Sequence, residues 1–395
     1  SLKRKLFDLE LSYENFIQKL KKDYPNYYNI KQRKIEFDIQ DFKSRLTKEE
    51  ALVEFYIGEN EVNAFVVTKD DFQHFSTPFT LHPDSLVNTC NSAIKNGNTS
   101  EYLDYAHRLY TVLIEPIEET LAEAQISALR IVPHKNLSFL SFDCLITNKE
   151  QTDQLSKARY LINDYVTTYH HSASVYLSGG STSSGNTLKN SQKVLNVFAP
   201  VYENSEQLSA LPWSVREAES IANAFTNNGW STHLLMREQA TKQSFQNLDN
   251  TSKVVHLATH LGLDHEDLNY SKIYFHPTKE EASNSTLTLA ETFNLKMKPD
   301  LLTISSCESG VGKVLQGEGM FSFSLGFSYL GIPSIVCSMW KVNDLYTSEL
   351  MVQMYRSYLK GNSIATALRD SKLKLLREQI DIQPKDWASF ILMEN

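Results

Sequence analysis

The sequence predicts an α/β protein with a mostly parallel sheet that is covered by helices on both faces. Its composition, 41% hydrophobic and 22% charged over 395 residues, is ordinary for a globular protein with large cores. From Val194 onward, short apolar segments alternate with longer segments of helical periodicity, which is the pattern of parallel sheets. Two apolar segments run into His260 and Cys307, and reacting groups collect at the carboxyl ends of parallel strands.

Length, charge and cysteine usage exclude several classes of protein. The length suits two or three domains, and the net charge of −8 offers no basic field for nucleic acid or a membrane surface. We expect no membrane-spanning segment, because no apolar run approaches the required length of about 18 residues. The chain begins without methionine or an apolar signal core, so we expect the natural N-terminus to lie upstream. The cysteines lack CxxC spacing, which favours a reducing, cytoplasmic environment.

The first half is predicted to form an α/β layer of its own. Residues 1–50 are lysine-rich with a broken apolar stripe, which predicts an N-terminal helical segment. Residues 51–177 contain alternating and β-branched runs and one long helical period. The predicted elements are strands at Leu52–Ile57, Val62–Thr68, Phe72–Ser76 and Leu129–Pro133 and a helix at Glu101–Ala124. A polar, glycine-rich stretch follows, and residues 178–193 are predicted to be a flexible linker.

Residues 194–395 are predicted to form the half that carries the chemistry, with strands and helices in alternation. The predicted strands are Val194–Ala199, Thr232–Leu235, Lys253–Ala258, Leu301–Ser305, Ser334–Met339 and Trp387–Met393. The predicted helices are Ser214–Asn227, Thr241–Leu248, Leu289–Leu295, Gly317–Leu330, Ser348–Lys360 and Ser363–Gln379.

Cys307 and His260 are the candidate nucleophile and base. A thiol is mostly protonated at neutral pH, so a nucleophilic cysteine needs an activator, and His260 can take its proton. The two residues are 47 positions apart, close to the roughly 50 positions typical of caspases. A lone strand-end cysteine is more often a small core residue, and the pairing with His260 makes the two interpretations about equal. The oxyanion would be held by the N–H of Cys307 and by that of Leu261 or Gly262.

Three segments resemble the signature blocks of the CHAT-domain peptidases, a caspase-like family related to separase and gingipains: VVHLATHLGLD, LLTISSCESGVGKVLQGEGM and GIPSIVCSMWKVND. Weaker similarity in LRIVPHKNLSFLSFDCLI, LPWSVREAESIANAF and DWASFILM extends the resemblance over residues 51–395. It implies a caspase-like α/β/α sandwich, a His260/Cys307 dyad, peptide-bond cleavage and no cofactor. It also implies that residues 51–177 are a degenerate caspase-like half.

The resemblance further implies how such a peptidase is used. The substrate would be a specific protein cut as a regulatory switch, in association with bacterial defence. An upstream helical-repeat region of TPR type or a sensor partner would control it. One position departs from the family, which usually has glycine directly after the histidine, whereas here Leu261 precedes Gly262. The departure leaves open a second hypothesis, a non-catalytic caspase-like scaffold that binds partner proteins through its groove.

Three further residues have both a functional and a structural interpretation. Asp344 matches an acidic residue that lines the pocket for a basic side chain in the similar separase block, or it caps the following helix. Trp340 would form a wall of the substrate groove, or it is an ordinary core aromatic. Glu318 would orient the catalytic loop, although the start of a helix is the more common place for such a carboxylate.

A metal site is the alternative use of the histidines near the predicted strand end. His256, His260 and His265 are close in sequence, but His256 and His260 lie on a strand and its exit rather than on one helix face. Closed zinc sites need four nitrogen or sulfur ligands and open sites need three. We therefore predict no metal ligands here.

Overall fold

In the computed structural model, the described residues are 2–23, 38–148, 155–178, 193–202, 208, 211–262, 270–277, 285–306, 313–315, 319–321, 323–340, 342–379 and 382–395. They contain a large sheet, two small sheets and the helices that flank them. The predicted flexible linker falls almost entirely outside the described residues, at 179–192.

The strands are β1 (Glu50–Ile57), β2 (Glu61–Val67), β3 (Phe72–Pro78), β4 (Ala128–Val132), β5 (Val166–Tyr169), β6 (Val194–Ala199), β7 (Ser231–Met236), β8 (Val254–Ala258), β9 (Leu261–Gly262), β10 (Lys272–Tyr274), β11 (Thr286–Thr288), β12 (Leu301–Ser305), β13 (Lys313–Leu315), β14 (Gly319–Phe321), β15 (Ser334–Ser338) and β16 (Phe390–Glu394).

The α-helices are α1 (Leu2–Asp23), α2 (Ile39–Arg45), α3 (Pro83–Asn96), α4 (Thr99–Leu113), α5 (Glu115–Glu123), α6 (Ala173–Ser178), α7 (Pro212–Asn227), α8 (Lys242–Gln246), α9 (Leu289–Thr292), α10 (Phe323–Tyr329), α11 (Asp344–Leu359), α12 (Ile364–Glu378) and α13 (Pro384–Trp387). Short 3₁₀ turns lie at Lys135–Phe139, Phe142–Cys144, Leu155–Lys157, Leu161–Asn163 and Arg237–Gln239. None of the helices in the described part of the chain is long and apolar enough to cross a membrane.

The large sheet has eleven strands in the order β3-β2-β1-β4-β5-β16-β15-β12-β8-β6-β7. Its neighbouring strands pair in parallel, except for β1 with β2, β2 with β3 and β15 with β16. Every residue of β6, β8 and β12 is buried, as expected for strands covered on both faces. The predicted α/β class with a mostly parallel sheet is confirmed.

The polarity of the sheet reverses once near its centre, at β15 and β16. Because β16 is antiparallel to β15 and parallel to β5, the carboxyl ends of β8 and β12 lie at the opposite edge from those of β4 and β5. Strands from both predicted halves belong to this one sheet, with Met393 of β16 beside Tyr169 of β5. The division of the chain into two halves stays a prediction.

Several predicted element boundaries are wrong for identifiable reasons. The single helix predicted over Glu101–Ala124 is two helices, α4 and α5, because Pro116 begins a new helix. The helix predicted from Gly317 begins at Phe323, and Gly319–Phe321 instead pairs with β13 in a two-stranded sheet. The last strand begins at Phe390, after a helical turn that contains Trp387.

A buried ion pair joins α12 to the first half of the chain. The ammonium of Lys372 lies 2.5 Å from a carboxylate oxygen of Asp143 and also donates to the carbonyl of Phe390. The hydroxyl of Thr167 donates to the other oxygen of Asp143 at 2.5 Å. Both charged side chains are less than a tenth exposed, so each depends on the other for charge compensation.

Removal of one partner should therefore be costly. We expect Lys372→Ala to lower the free energy of unfolding by about 3–5 kcal/mol, because it leaves the Asp143 carboxylate buried without a counter-ion. Urea denaturation followed by circular dichroism would measure the loss. Lys374→Ala is the matched control on the same helix, since Lys374 is 41% exposed in its pair with Glu378 and should cost less than about 1 kcal/mol. Equal losses in the two variants would contradict the role given to the buried pair.

Candidate active site

His260 lies just beyond β8, at the carboxyl end of a fully buried strand. Its carbonyl accepts a hydrogen bond from the N–H of Tyr274 at 3.1 Å, which begins the pairing of β9 with β10. Its imidazole lies beside the ring of Tyr202, with 5.1 Å between the ring centroids and 38° between the ring planes. The backbone of His260 is thus fixed by β10, and one side of its ring is covered by an aromatic side chain.

Tyr202 is itself fixed by a small polar cluster behind His260. The hydroxyl oxygens of Tyr202 and Thr259 are 2.7 Å apart, and they lie 2.9 and 2.5 Å from the carbonyl oxygen of Tyr274. Burial raises the pKa of Tyr202, so its hydroxyl keeps its proton at neutral pH. The cluster links β8 to β10 and holds the ring that packs on His260.

The pairing of β8 with β12 relates His260 to Cys307. Ala258 and Ser305 are register partners on these parallel strands. His260 and Cys307 each follow that pair by two residues. Cys307 lies outside the described residues, and the structure describes the chain before it up to Ser306.

A cleft opens at this edge of the sheet. It is bounded by the ends of β8 and β12, by the start of α7 and by the start of α11. Its described lining is Leu211, Ser214, Glu217, Ala258, Thr259, His260, Ser305, Ser306, Val342, Asp344 and Thr347. The structure therefore brings His260 and Asp344 together with the residue that directly precedes Cys307.

Asp344 is the first residue of α11, and it is partly buried. The helix is capped by Asn343, whose side-chain oxygen accepts from the N–H of Leu345 at 2.9 Å. The capping role predicted for Asp344 is therefore wrong, because the residue before it provides the cap. A carboxylate in the first turn still interacts favourably with the positive end of the helix dipole, and here it also lines the cleft.

The register of β9 with β10 distinguishes the two predicted oxyanion donors. Antiparallel pairs alternate between hydrogen-bonded and non-hydrogen-bonded. His260 and Tyr274 are hydrogen-bonded, so the next pair, Leu261 with Ile273, is of the other kind and its N–H groups point away from the partner strand. The N–H of Gly262 is directed at Lys272 by the same rule. Leu261 is thus the residue whose N–H faces outward from the edge strand of this described small sheet.

The side chain of Tyr274 lies close to Gly262. A β-carbon at this position would lie 2.8 Å from the hydroxyl oxygen and 3.0 Å from a ring carbon of Tyr274. A side chain at this second position after the histidine would therefore require the Tyr274 ring to shift.

The other two predicted pocket residues do not line the described part of the cleft. Trp340 is 2% exposed, and its indole N–H donates to the carbonyl of Lys385 at 2.9 Å, which favours the core interpretation. Glu318 lies outside the described residues.

The histidines do not converge as metal ligands in the described part of the chain. His256 is fully buried and contacts Glu217 and Tyr355, whereas His260 points to Tyr202. His265 lies outside the described residues. Within the ranges that the structure describes, no three or more acidic, histidine or cysteine side chains are grouped as a metal site would need.

Comparison with known families identifies this arrangement. Residues 103–395 match the CHAT domain, which is well over half of the chain. The chain belongs to the CHAT domain family.

Solved structures give the fold of the CHAT chain a wider context. In the Saccharomyces cerevisiae separase–securin complex, the matched chain has 10% identity and a TM-score of 0.56, over 90% of this chain and 31% of that one. The CHAT chain thus spans about a third of the length of the separase chain. The Porphyromonas gingivalis complex of RgpB pro- and mature domains gives a TM-score of 0.46 at 10% identity, over 72% and 69% of the two chains. No curated protein matches the sequence.

The separase likeness and the CHAT match agree on a caspase-like peptidase fold. Tyr202, Glu217 and Thr347 are among the residues of the candidate site that were not singled out from sequence. Tyr202 contacts His260 from 58 positions away, and no local pattern marks such a contact. Glu217 and Thr347 are single polar residues on helices of ordinary sequence, so only the folded structure shows that they line the cleft.

The three other cysteines of the CHAT chain lie in the core. Cys90, Cys144 and Cys337 are free and buried. Burial raises the pKa of Cys144 and of Cys337 to about 12 and that of Cys90 well above its usual value. Very little thiolate is therefore present at these three positions at neutral pH, and the thiolate is the reactive form.

The burial of the other three thiols predicts selective alkylation of Cys307 in the native protein. With iodoacetamide at pH 7.5, we expect one thiol to react, Cys307, while the three buried thiols react only after denaturation. Mass spectrometry of tryptic peptides would locate the label, and Cys307→Ser is the control that should abolish it. Early labelling of Cys337 or Cys144 in the folded protein would contradict the prediction.

Proposed function

We propose that the protein is a cysteine endopeptidase in which Cys307 is the nucleophile and His260 is the base. The observation that carries the proposal is the cleft at the ends of β8 and β12, lined by His260 and by Ser306, the residue before Cys307. Parallel pairing with Ala258 opposite Ser305 supports an approach of the two side chains, because each follows the pair by two residues. The CHAT family supports the same chemistry.

The proposed reaction is acyl transfer through a thioester. His260 takes the thiol proton of Cys307, and the thiolate attacks the scissile carbonyl to give a tetrahedral oxyanion. The N–H groups of Leu261 and Cys307 stabilise the oxyanion, and the outward direction of the Leu261 N–H supports this choice over Gly262. His260 then gives its proton to the leaving amine, and water hydrolyses the thioester with His260 again as base.

Loss of either dyad residue should abolish cleavage. We expect Cys307→Ala and His260→Ala each to remove activity on a cleaved peptide or protein, and the double variant to be no worse, because the two residues act as a unit. Rates from fluorogenic peptides and unchanged circular dichroism spectra would establish the effect. A wild-type protein that binds partners through the cleft but cleaves none would favour the scaffold hypothesis instead.

We propose that the cleft accepts a basic side chain at the position before the cleaved bond. Asp344 lines the cleft as a carboxylate. The side-chain oxygens of Thr347 and Ser306 are buried there and make no hydrogen bond within the described part of the chain. Acceptors gathered in a partly desolvated cleft favour a donor-rich cation, and a planar guanidinium can meet a carboxylate through two hydrogen bonds.

Specificity should therefore depend on the charge of Asp344. In a peptide series that varies the residue before the cleaved bond, we expect Arg and Lys to be preferred over Leu and Met, with a larger preference for Arg. Asp344→Asn should reduce the Arg-to-Leu ratio of kcat/KM by about 10-fold or more, since it removes the charge and keeps the shape. Asn343→Ala is the matched control, because it removes the helix cap and leaves the carboxylate. Efficient cleavage after Leu in both proteins would contradict an acidic pocket.

The biological setting is proposed from the family alone. The substrate is a specific protein, and its cleavage is a regulatory switch in bacterial defence in the cytoplasm. A helical-repeat region or a sensor partner controls access to the cleft. Substrate identification by comparing protein termini in cells with the wild-type protein and with Cys307→Ala would test these assignments together.

A further inference from the structure

A buried hydrogen-bonded chain of four side chains lies beneath the cleft, and the proposed reaction does not use it. A carboxylate oxygen of Glu217 lies 2.8 Å from Nε2 of His256. Nδ1 of His256 lies 3.2 Å from the hydroxyl oxygen of Tyr355, and that hydroxyl donates to Oγ1 of Thr303 at 2.7 Å. We call this set the Glu217 chain.

The Glu217 chain is almost fully buried. Glu217 is 2% exposed, and the other three residues are 0% exposed. A buried polar group without a partner is strongly unfavourable, so each member holds the next in place. The ring of Tyr355 also packs edge-on against His256, with 5.6 Å between centroids.

The four elements joined by this chain are those that form the proposed site. His256 lies on β8, which leads to His260, and its register partner Thr303 lies on β12, which leads to Cys307. Tyr355 lies on α11, which begins at Asp344, and Glu217 on α7 lines the cleft itself.

Hydrogen bonds at both ring nitrogens fix the orientation of His256. Tyr355 gives its one hydroxyl hydrogen to Thr303, so its contact with Nδ1 requires a hydrogen on His256. The carboxylate of Glu217 holds Nε2 on the other side of the ring.

We propose that Glu217 is a positioning residue that acts through His256, and that it sets the placement of β8 against β12 and hence of His260 against Cys307. The inference rests on the proposed function and assigns this residue a role in the rate of reaction rather than in the choice of substrate.

Two substitutions of Glu217 separate geometry from charge. Leucine fills a similar volume but leaves Nε2 of His256 without a partner, whereas glutamine can donate an amide hydrogen to Nε2 and keeps the chain intact. We expect Glu217→Leu to lower kcat by about 10- to 100-fold with KM changed less than about 3-fold, because small displacements of reacting groups cost rate rather than affinity. Glu217→Gln should recover most of the lost rate. The Arg-to-Leu ratio of kcat/KM should stay at the wild-type value in both variants.

Tyr355→Phe tests the same chain from its other end and keeps the ring contacts. Like Glu217→Leu, it should lower kcat, since it removes both hydrogen bonds of the hydroxyl. Glu219→Gln and Tyr358→Phe are controls on the same two helices outside the chain, and they should leave kcat at the wild-type value. Melting temperatures would identify any variant whose loss of activity reflects unfolding.

The rate of Cys307 alkylation by iodoacetamide distinguishes this inference from the proposed function. If His260→Ala slows alkylation and Glu217→Leu slows it too, both stand. If His260→Ala slows it and Glu217→Leu and Tyr355→Phe do not, the positioning role is overturned and the dyad survives. If His260→Ala has no effect, the dyad fails and the inference with it. Equal loss of kcat in Glu217→Leu and Glu217→Gln would also overturn the positioning role, because it would show that the carboxylate charge is needed.

Discussion

The parallel pairing of β8 with β12 is the constraint on which the candidate site depends. Side chains alternate between the two faces of a sheet, so a shift of one residue in this register would move every side chain of the shifted strand to the opposite face. With Ala258 opposite Ser305, the same face carries His256 opposite Thr303 one pair deeper. The register therefore places the buried Glu217 chain directly below the strand ends that open into the cleft. The geometry of the candidate site and the packing of the core beneath it depend on the same hydrogen-bond ladder.

Because strand direction reverses between β15 and β16, parallel strands end at both edges of the sheet, and the two sets of strand ends differ in burial. At the edge that carries the cleft, polar groups such as His260, Asp344 and Ser306 line the opening. At the other edge, His170 and His171 follow β5 and are buried. Burial lowers the pKa of His171 to about 4 and that of His170 well below its usual value, so both rings are neutral at physiological pH and pack as core groups. The first half contributes strands to the sheet, while its own strand ends are closed by packing.

The sequence predicted the fold class and the strand that delivers His260, because long buried strands and their polar ends leave a strong local pattern. Short elements left no such pattern: β9, β10 and β11 have two or three residues each, and glycine-rich sequence hid the pairing of β13 with β14. One of the two interpretations of Asp344 gave it the capping role of its neighbour Asn343, because the sequence does not show which of two adjacent capping-type residues begins the helix. The contact of Glu217 with His256 spans 39 residues and that of His256 with Tyr355 spans 99, so only the folded chain brings them together.

Leu261 illustrates how a departure from a family pattern can be accommodated by the surrounding structure. Glycine after the histidine frees the backbone to turn its N–H toward an oxyanion. Here the outward direction of the Leu261 N–H follows from the ladder with β10, which any residue can adopt. The Leu261 side chain packs against the core beside buried Ile273, which stabilises this short edge strand. At Gly262 a β-carbon would require the Tyr274 ring to shift, and the carbonyl of the same tyrosine anchors the cluster that holds Tyr202 on His260.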